Sequence, residues 1–465
     1  MLNTLLQTSP APLRLSGDES PIRLNRKRPR VLLIAEGCNP DMISVPLVGY
    51  SHCKAIREVA DALVLTHWRN GPALKNAGWI EGKDFAIIDT EWAARSVWKI
   101  ATFLRGGTGA GWTTLAALSV PLYYLFEHYI WQQYGSRLAA GEFDIVHRMI
   151  PLSPTTPSLL AAKCREIGVP FVVGPLNGGL PWPKGFDGAR RKEREWLSYV
   201  RDAYKLLPGY RSMRSNASAM IVASRDTLRQ MPREFHNRCF YIPENAIDPT
   251  RFARRAPRPP RQPGDRRPLQ VIFLGRLVPY KGADMLIEAA APLVKAGRIA
   301  LNLVGDGPQM EELKQLVDRL GVADGVKLSG WVDHRQVQQY LVDADLFGFP
   351  SIREFGGAVV LEAMALGVVP IIVDYGGPAE LVTAKTGYLL ELGTRAQIVE
   401  RLQQTLTHLA DSPAEIDAKR GPAERRAREL FTWENKAQQV LDVYRWVLDP
   451  STEKPVFPVP MPDQD

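Results

Sequence analysis

The stretch VIFLGRLVPYKGADMLIEAAAPLVKAGRIALNLVG, residues 271–305, decides the fold class of this chain. It begins with an apolar run, passes through a turn that starts and ends with glycine, and has a helix-length segment at 283–296 before a second apolar run at 300–305. A continuous apolar run is typical of a strand buried on both faces of a parallel sheet. The pattern therefore predicts a β-α-β unit and an α/β protein.

The same alternation continues on both sides of this unit. Downstream it extends to about residue 430 and predicts a second doubly wound domain over 269–430. Upstream, short apolar runs recur between helix-length segments and predict a first domain over 28–253; the runs are 30–35 (RVLLIA), 63–65, 85–88, 145–146, 171–173 and 219–222. We therefore expect two Rossmann-like domains, each built on a parallel sheet.

Four segments lie outside the two predicted domains. Residues 254–268 (RRAPRPPRQPGDRRP) are too rich in proline and arginine for a packed core and predict a linker or loop. Residues 1–27 lack the features of an export signal and predict a disordered leader. An amphipathic helix at 431–450 follows both domains and is expected to pack back across them, and 451–465 is a tail.

Composition narrows the class of partner. The 58 basic residues exceed the 50 acidic ones, and the net charge of +8 favours an anionic partner such as nucleic acid, a phosphorylated metabolite or the inner face of a membrane. The four cysteines are widely spaced and contain no CxxC pair, which is typical of a protein in a reducing cytoplasm.

One uncharged segment, residues 106–126, is just long enough to span a bilayer. Its first part is rich in glycine and threonine, and Pro121 interrupts the rest. A single helical stripe contains Leu115, Leu118, Leu122, Leu125 and Tyr129. We therefore expect a helix packed on a core or in a hydrophobic acceptor cleft rather than a membrane span.

Three loops of the second domain are considered as ligand sites, because ligands bind at the carboxyl ends of parallel strands. In the first, Arg276 and Lys281 lie five residues apart between Gly275 and Gly282 and could converge on a diphosphate. The alternative is a solvated turn with two surface cations. The second loop, which begins at Gly305, lacks the last glycine of a dinucleotide fingerprint and predicts a tight strand-to-helix turn.

A third loop, residues 350–365 (PSIREFGGAVVLEAMA), contains the carboxylate pair Glu354 and Glu362. Gly356 and Gly357 allow the backbone to approach a ligand where a helix begins, so that free amides can receive phosphate or sugar oxygens. Eight residues are close to two helical turns, so the two carboxylates lie near one face. Two exposed helix glutamates would be the alternative.

Two other acidic residues form a DxD, which holds a divalent metal in some sugar transferases. Asp343 closes a predicted helix and Asp345 opens the next strand, so the two do not share an exposed loop. We expect a helix end there and no metal site.

Together with the glutamate pair, three further stretches resemble the family 4 retaining glycosyltransferases of GT-B fold: GRLVPYKG at 275–282, YIPENAIDPTRF at 241–252 and VDYGGPAELV at 373–382. The resemblance covers the whole second domain and the first more thinly. It implies two domains facing across a cleft, a nucleotide-diphosphate-sugar donor held mainly by the second and a saccharide or lipid-linked acceptor held mainly by the first. It also implies a hexosyltransferase without metal or cofactor, active in polysaccharide or glycolipid biosynthesis, without nucleic acid as a partner.

The resemblance also implies roles for individual residues. Arg276 and Lys281 would hold the diphosphate and Glu362 the ribose, with the base against the turn that contains Val332. The sugar would be held by Glu354 and by the amides of Gly356, Gly357 and Ala358. His147, at a strand end, resembles the family's cleft histidine and is expected to face the ligand, and acceptor contacts are expected from Gly49 and Asn177.

The chain departs from the family pattern in two places. The usual Gly-Phe-Gly after the first glutamate is replaced by Phe355-Gly356-Gly357, and the usual Gly-Gly pair of the first domain is replaced by a stretch with Gly49 alone. A basic stretch at 190–201 predicts either a contact with anionic lipid at the inner membrane or a solvated helix face. A nucleotide-sugar epimerase of the same fold and a non-catalytic nucleotide-sugar or membrane-binding protein are the alternative functions.

Overall fold

Parallel strands and helices alternate along the chain in the computed structural model, which describes residues 28–92, 112–192, 203–253, 267–457 and 459. The predicted leader and most of the predicted linker lie outside the described residues. So does 193–201 of the basic stretch. The described strands are β1 Arg30–Ala35, β2 Asp61–His67, β3 Phe85–Ile88, β4 Ile145–Ile150, β5 Phe171–Leu176, β6 Ala219–Val222, β7 Cys239–Tyr241, β8 Leu269–Leu274, β9 Ile299–Val304, β10 Val326–Gly330, β11 Leu346–Phe349, β12 Val369–Val373 and β13 Tyr388–Leu390.

The described α-helices follow the strands in the order that the sequence predicts. They are α1 Val45–Val59, α2 Gly71–Asn76, α3 Trp112–Ala139, α4 Leu160–Glu166, α5 Asp187–Lys192, α6 Tyr210–Asn216, α7 Arg225–Gln230, α8 Ala283–Lys295, α9 Met310–Leu320, α10 Val337–Leu341, α11 Ala358–Ala365, α12 Gly377–Leu381, α13 Arg395–Asp411, α14 Ala414–Leu430 and α15 Trp433–Leu448.

Two parallel sheets form the frame. One has seven strands in the order β3-β2-β1-β4-β5-β6-β7, and the other has six in the order β10-β9-β8-β11-β12-β13. The central strands are buried along almost their whole length, as in β4 and β5, because helices cover both faces of a parallel sheet. The expectation of an α/β chain with two doubly wound sheets is confirmed.

The chain folds into two compact units whose borders differ from a simple division in sequence. Of the described residues, the first unit comprises 28–92, 112–179, 203–244, 433–457 and 459, and the second comprises 180–192, 245–253 and 267–432. The segment 180–192 thus follows β5 of the first sheet but belongs to the second unit. Helix α15 packs on α1 within the first unit, and Tyr444 of α15 contacts β4 there.

Helix α3 forms where the sequence predicts a helix, but its most buried face is not the predicted apolar stripe. Leu122, Leu125 and Tyr129 of that stripe are partly buried, and the side chains of Leu115 and Leu118 lie outside the described ones. The fully buried face contains Tyr123, Phe126, Glu127, Ile130 and Tyr134. The reason is that α3 is apolar on most sides, so tertiary packing rather than periodicity selects its buried face. The Glu127 carboxylate is tolerated there because it accepts hydrogen bonds from the Ser158 hydroxyl and the Leu159 amide.

No helix of the described chain combines the length and the apolar character needed to cross a membrane. The four cysteines are all buried and free.

Candidate functional site

Loops from the carboxyl ends of neighbouring strands converge in the second unit. Because β8 lies between β9 and β11, the loops after these strands share one edge of the sheet. Their backbones touch so closely that a Cβ atom on Gly305 would lie 1.9 Å from the Gly275 carbonyl oxygen. On the other side, a Cβ on Gly282 would lie 2.6 Å from the Pro350 carbonyl oxygen. Glycine at these positions is what lets the loops meet.

The loop after β8 presents two cations in different ways. Arg276 is exposed, and its guanidinium makes no hydrogen bond to another described residue. Lys281 is only 16% exposed, and its Nζ atom lies 2.6 Å from Oε2 of Glu354. The tertiary structure therefore pairs Lys281 of the loop after β8 with Glu354 of the loop after β11.

Glu354 sits on a turn that backbone contacts hold in place. The Gly377 amide donates to the Glu354 carbonyl oxygen at 3.0 Å, and a Cβ on Gly377 would lie 2.1 Å from the Phe355 carbonyl oxygen. Gly357 has a φ of 69° and caps α11, so the first-turn amides of that helix point out of its start. An anionic or hydroxyl-rich ligand beside Glu354 would meet these amides and the helix dipole.

Glu362 lies in the second turn of α11 and has an unusual acidity. Burial raises the pKa of its carboxyl to about 7, although the nearby Arg251 opposes that shift. Its side chain makes no hydrogen bond to a described residue, and the residue keeps partial exposure. A carboxylate placed in this way is poised to accept from a ligand's hydroxyl groups.

The turn after β10 flanks the same group of loops. Gly330 adopts a φ of 72°, and its carbonyl oxygen accepts from the Gly305 amide at 2.8 Å. The adjoining Trp331 is 67% exposed. The contact of a base with Val332 stays a prediction.

The DxD is built into the frame of the second unit. Asp345 is 5% exposed, and its carboxylate accepts from the Gln270 amide at 2.9 Å and from Arg420 at 2.6 Å. This bonding joins α14 to β8 and β11. Asp345 therefore serves the fold, consistent with the expectation that the DxD is not an exposed ligand set.

The prediction that His147 faces a ligand is wrong. The residue is fully buried, its Nε2 donates to the Gly174 carbonyl oxygen at 2.7 Å, and its Nδ1 lies 2.6 Å from the Tyr444 hydroxyl. Burial lowers the pKa of His147 to about 4, so the ring is neutral and accepts from Tyr444 through Nδ1. Both nitrogens are engaged in holding α15 and β5 against β4.

Gly49 and Asn177, the predicted acceptor residues, both have packing roles in the first unit. A Cβ on Gly49 would lie 2.2 Å from the Gly37 carbonyl oxygen, so glycine permits α1 to approach the end of β1. Asn177 is 7% exposed, and its amide nitrogen donates to Glu244 at 2.6 Å. Acceptor binding by either residue stays a prediction.

Two contributors to the site are missed by reasoning from sequence. Arg251 comes before the predicted second domain, yet it belongs to the second unit and its charge acts on Glu362. The pair Gly376 and Gly377 follows β12 after two intervening residues and supports the Glu354 turn. A Gly-Gly pair in the loop after a buried strand was the available signal, whereas nothing in the sequence around Arg251 indicates that it lies near Glu362.

Two parallel Rossmann-like sheets in one chain, with a cationic loop and a carboxylate pair at the strand ends of the second, define the GT-B fold class. Residues 259–417, which lie in the second unit apart from 259–266, which the structure does not describe, match the family model described as glycosyl transferases group 1.

Individual proteins to which the chain is similar are also named as glycosyltransferases. The chain is 33% identical over 147 residues to the 2-deoxystreptamine N-acetyl-D-glucosaminyltransferase of Niallia circulans, a match that covers 31% of this chain and 37% of that protein. It is 29% identical over 282 residues to the putative colanic acid biosynthesis glycosyltransferase WcaL of Escherichia coli, which covers 58% of this chain and 62% of that protein. The chain thus spans from about two fifths to about three fifths of the length of these curated relatives.

Among solved structures, the fold resembles that of HepE from Anabaena in complex with UDP. The TM-score is 0.60 at 18% identity, and the likeness covers 89% of this chain and 98% of that one. At this identity the likeness concerns the fold.

Proposed function

We propose that this chain is a retaining glycosyltransferase that moves a hexose from a nucleotide-diphosphate-sugar to a saccharide or lipid-linked acceptor. The observation that carries the proposal is the contact of Lys281 with Glu354 beside the start of α11. It places a cation for a leaving phosphate, a carboxylate for sugar hydroxyls and helix amides within one small region.

The donor is assigned along the loops of the second unit. Arg276 and Lys281 hold the diphosphate, and the ribose hydroxyls donate to Glu362. The base rests against the turn that contains Val332. The sugar is held by Glu354 and by the amides of Gly356, Gly357 and Ala358. The raised pKa of Glu362 supports its role, because a poorly solvated carboxylate gains most from donors that a ligand brings.

The reaction we propose is a same-face substitution at the sugar carbon. The bond from that carbon to the diphosphate oxygen breaks, the acceptor oxygen forms the new bond, and the departing phosphate oxygen takes the acceptor proton. Arg276 and Lys281 stabilise negative charge as it develops on the leaving group, which lowers the barrier more than it tightens binding. Glu354 orients the sugar, because its carboxylate is already paired with Lys281.

A relative supports a role in surface polysaccharide or glycolipid synthesis. We also propose that the protein acts on the cytoplasmic side, with peripheral contact to an anionic membrane. WcaL is named for colanic acid biosynthesis, and HepE has been crystallised with UDP-glucose. UDP-glucose is therefore the first donor to test.

Donor binding should raise the thermal stability of the protein. A nucleotide-sugar at 100 times its dissociation constant stabilises the fold by about 2.7 kcal/mol, so a screen of UDP-, ADP-, GDP- and dTDP-glucose by thermal unfolding should single out one base. With that donor, nucleoside diphosphate should be released only when an acceptor extract is added. Conversion of the donor alone would indicate an epimerase, and binding without release would indicate a non-catalytic protein.

Sugar transfer should not require a divalent metal or a cofactor. The proposed donor site supplies its positive charge from Arg276 and Lys281, and the described residues contain no group of three metal-ligating side chains. We expect EDTA to leave the initial rate of transfer unchanged. A loss of activity that Mn²⁺ or Mg²⁺ restores would contradict this expectation.

A further inference from the structure

The segment 180–192 is a strap on the second unit, although it lies between β5 and β6 of the first sheet in the sequence. Phe186 is buried in a small apolar cluster with Met285, Ile352, Val373 and Ile398. Near its start, the Pro181 carbonyl oxygen accepts from the Tyr375 hydroxyl at 2.8 Å. The strap is therefore anchored at two points on the elements that carry the candidate site.

Trp182 of the strap contacts the loops on both sides of the central ion pair. Its ring meets Tyr280 edge-on, with the centroids 6.2 Å apart, and the Arg353 guanidinium carbon lies 5.0 Å from its ring centroid. Tyr280 directly precedes Lys281, and Arg353 directly precedes Glu354. The Trp182 indole thus contacts both the residue before Lys281 and the residue before Glu354.

Arg353 is held between two aromatic rings. It is 8% exposed, and its guanidinium carbon lies 5.2 Å from the Phe355 ring centroid in addition to its contact with Trp182. A cation with little access to water depends strongly on such contacts. Phe355 occupies the position at which the usual Gly-Phe-Gly order has its first glycine. Its ring contacts the same Arg353 guanidinium that contacts Trp182, so the three side chains form a stack.

We infer that Trp182 is a positioning residue of the donor site, acting through Arg353 to set Glu354 against the sugar of the donor. This inference rests on the proposed function. Without the indole, Arg353 loses an aromatic partner, and the turn from 353 to 355 can relax. The residue before Lys281 stays held without the indole, because the Tyr280 carbonyl oxygen accepts from the Ile352 amide at 2.9 Å. We therefore expect the nucleoside diphosphate contacts proposed for Lys281, Arg276 and Glu362 to persist.

The experiment compares donor and nucleoside diphosphate on the same variants. UDP-glucose and UDP are titrated by calorimetry against the wild type, Trp182→Leu and Trp182→Phe, with the other nucleotide-glucose pairs as further probes. For Trp182→Leu we expect UDP-glucose to bind about 10-fold more weakly while UDP changes less than about 2-fold, since one desolvated cation–π contact is lost. Trp182→Phe should recover most of the difference because it keeps a ring over Arg353.

A matched control and a coupled variant separate positioning from general loosening. Phe186→Leu removes a buried ring from the same strap without the stack, and should leave the ratio of UDP-glucose to UDP affinity unchanged. Arg353→Met should reproduce the sugar-specific loss, and the double variant with Trp182→Leu should add little to it because both changes remove one contact.

The outcomes are distinguishable. Equal loss of UDP and UDP-glucose affinity in Trp182→Leu, or no loss of either, would overturn the positioning role while leaving the proposed function intact. A wild type that binds none of the nucleotide-sugars would overturn the proposed function and this inference with it.

Discussion

Lys281→Ala is expected to lower kcat for sugar transfer by about 100-fold or more, which corresponds to the few kcal/mol that a charge contact at a leaving group contributes. In the wild type the Nζ atom lies 2.6 Å from Glu354 and is 16% exposed, so little water screens it. The substitution removes the cation that would stabilise the departing phosphate and leaves Glu354 without its partner. Single-turnover rates with saturating donor measure the effect on the chemical step.

Lys295→Ala is the matched control for this prediction. Lys295 is exposed at the end of α8 in the same unit, so its removal changes the net charge equally without touching the site. The control should keep the wild-type rate. A folded Lys281→Ala protein with unchanged turnover would refute the assignment of the leaving-group cation.

Glu362→Gln is expected to weaken donor binding by about 10- to 100-fold, because a charged acceptor for the ribose hydroxyls becomes a neutral one. Donor affinity of the wild type should also fall as the pH drops below about 7, where the carboxyl takes up a proton. The variant should lack this pH dependence. Calorimetric titrations between pH 5.5 and 8.5 test both statements.

The same substitution should stabilise the ligand-free protein at high pH. The folded pKa of about 7 exceeds the reference value of 4.5, so the native state binds the proton more tightly and stability falls as the pH rises through 7. Glutamine removes this penalty, whose upper limit is about 3 kcal/mol for such a shift. Denaturant unfolding should show Glu362→Gln gaining on the wild type between pH 5.5 and 8.5.

Glu58→Gln, at an exposed site on α1, is the control for both measurements of Glu362. It should change neither donor affinity nor the pH dependence of stability. If Glu362→Gln bound the donor as tightly as the wild type, the ribose assignment would be lost. If the free energy of unfolding of Glu362→Gln and of the wild type changed equally between pH 5.5 and 8.5, the Glu362 carboxylate would not be buried and poorly solvated.

Glu362→Gln is expected to weaken donor binding and to stabilise the ligand-free protein, and both effects follow from the burial of this carboxylate. A carboxylate shielded from water lowers the stability of the ligand-free protein and gains affinity when a ligand supplies hydrogen-bond donors. The turn that precedes α11 is held by separate contacts, namely those of Arg353 with Trp182 and Phe355 and the close approach of Gly377.

The sequence by itself determined the features that depend on local order. Apolar runs bounded by helix-length segments specify buried parallel strands, so both sheets could be predicted from periodicity alone. Glycines beside cations and carboxylates marked the loops after β8 and β11, because a ligand loop needs backbone freedom and charge within a few residues. The expected two helical turns between Glu354 and Glu362 are not found, because α11 begins only at Ala358: Glu354 lies on the preceding turn, and Glu362 lies in the second turn of the helix.

Only the tertiary structure decided which residues meet across long separations. His147 reads as a ligand-facing residue at a strand end, yet Tyr444, 297 residues later, engages its ring. Helix α3 is apolar on most sides, so its buried face is decided by the residues that pack on it, such as Ser158, whose hydroxyl donates to Glu127. The strap with Trp182 reaches Arg353 only because the chain leaves one sheet and packs on another. Sequence periodicity predicts the helix or strand in which a residue lies. Its burial and its charge partners depend on other helices and strands that the whole fold brings close.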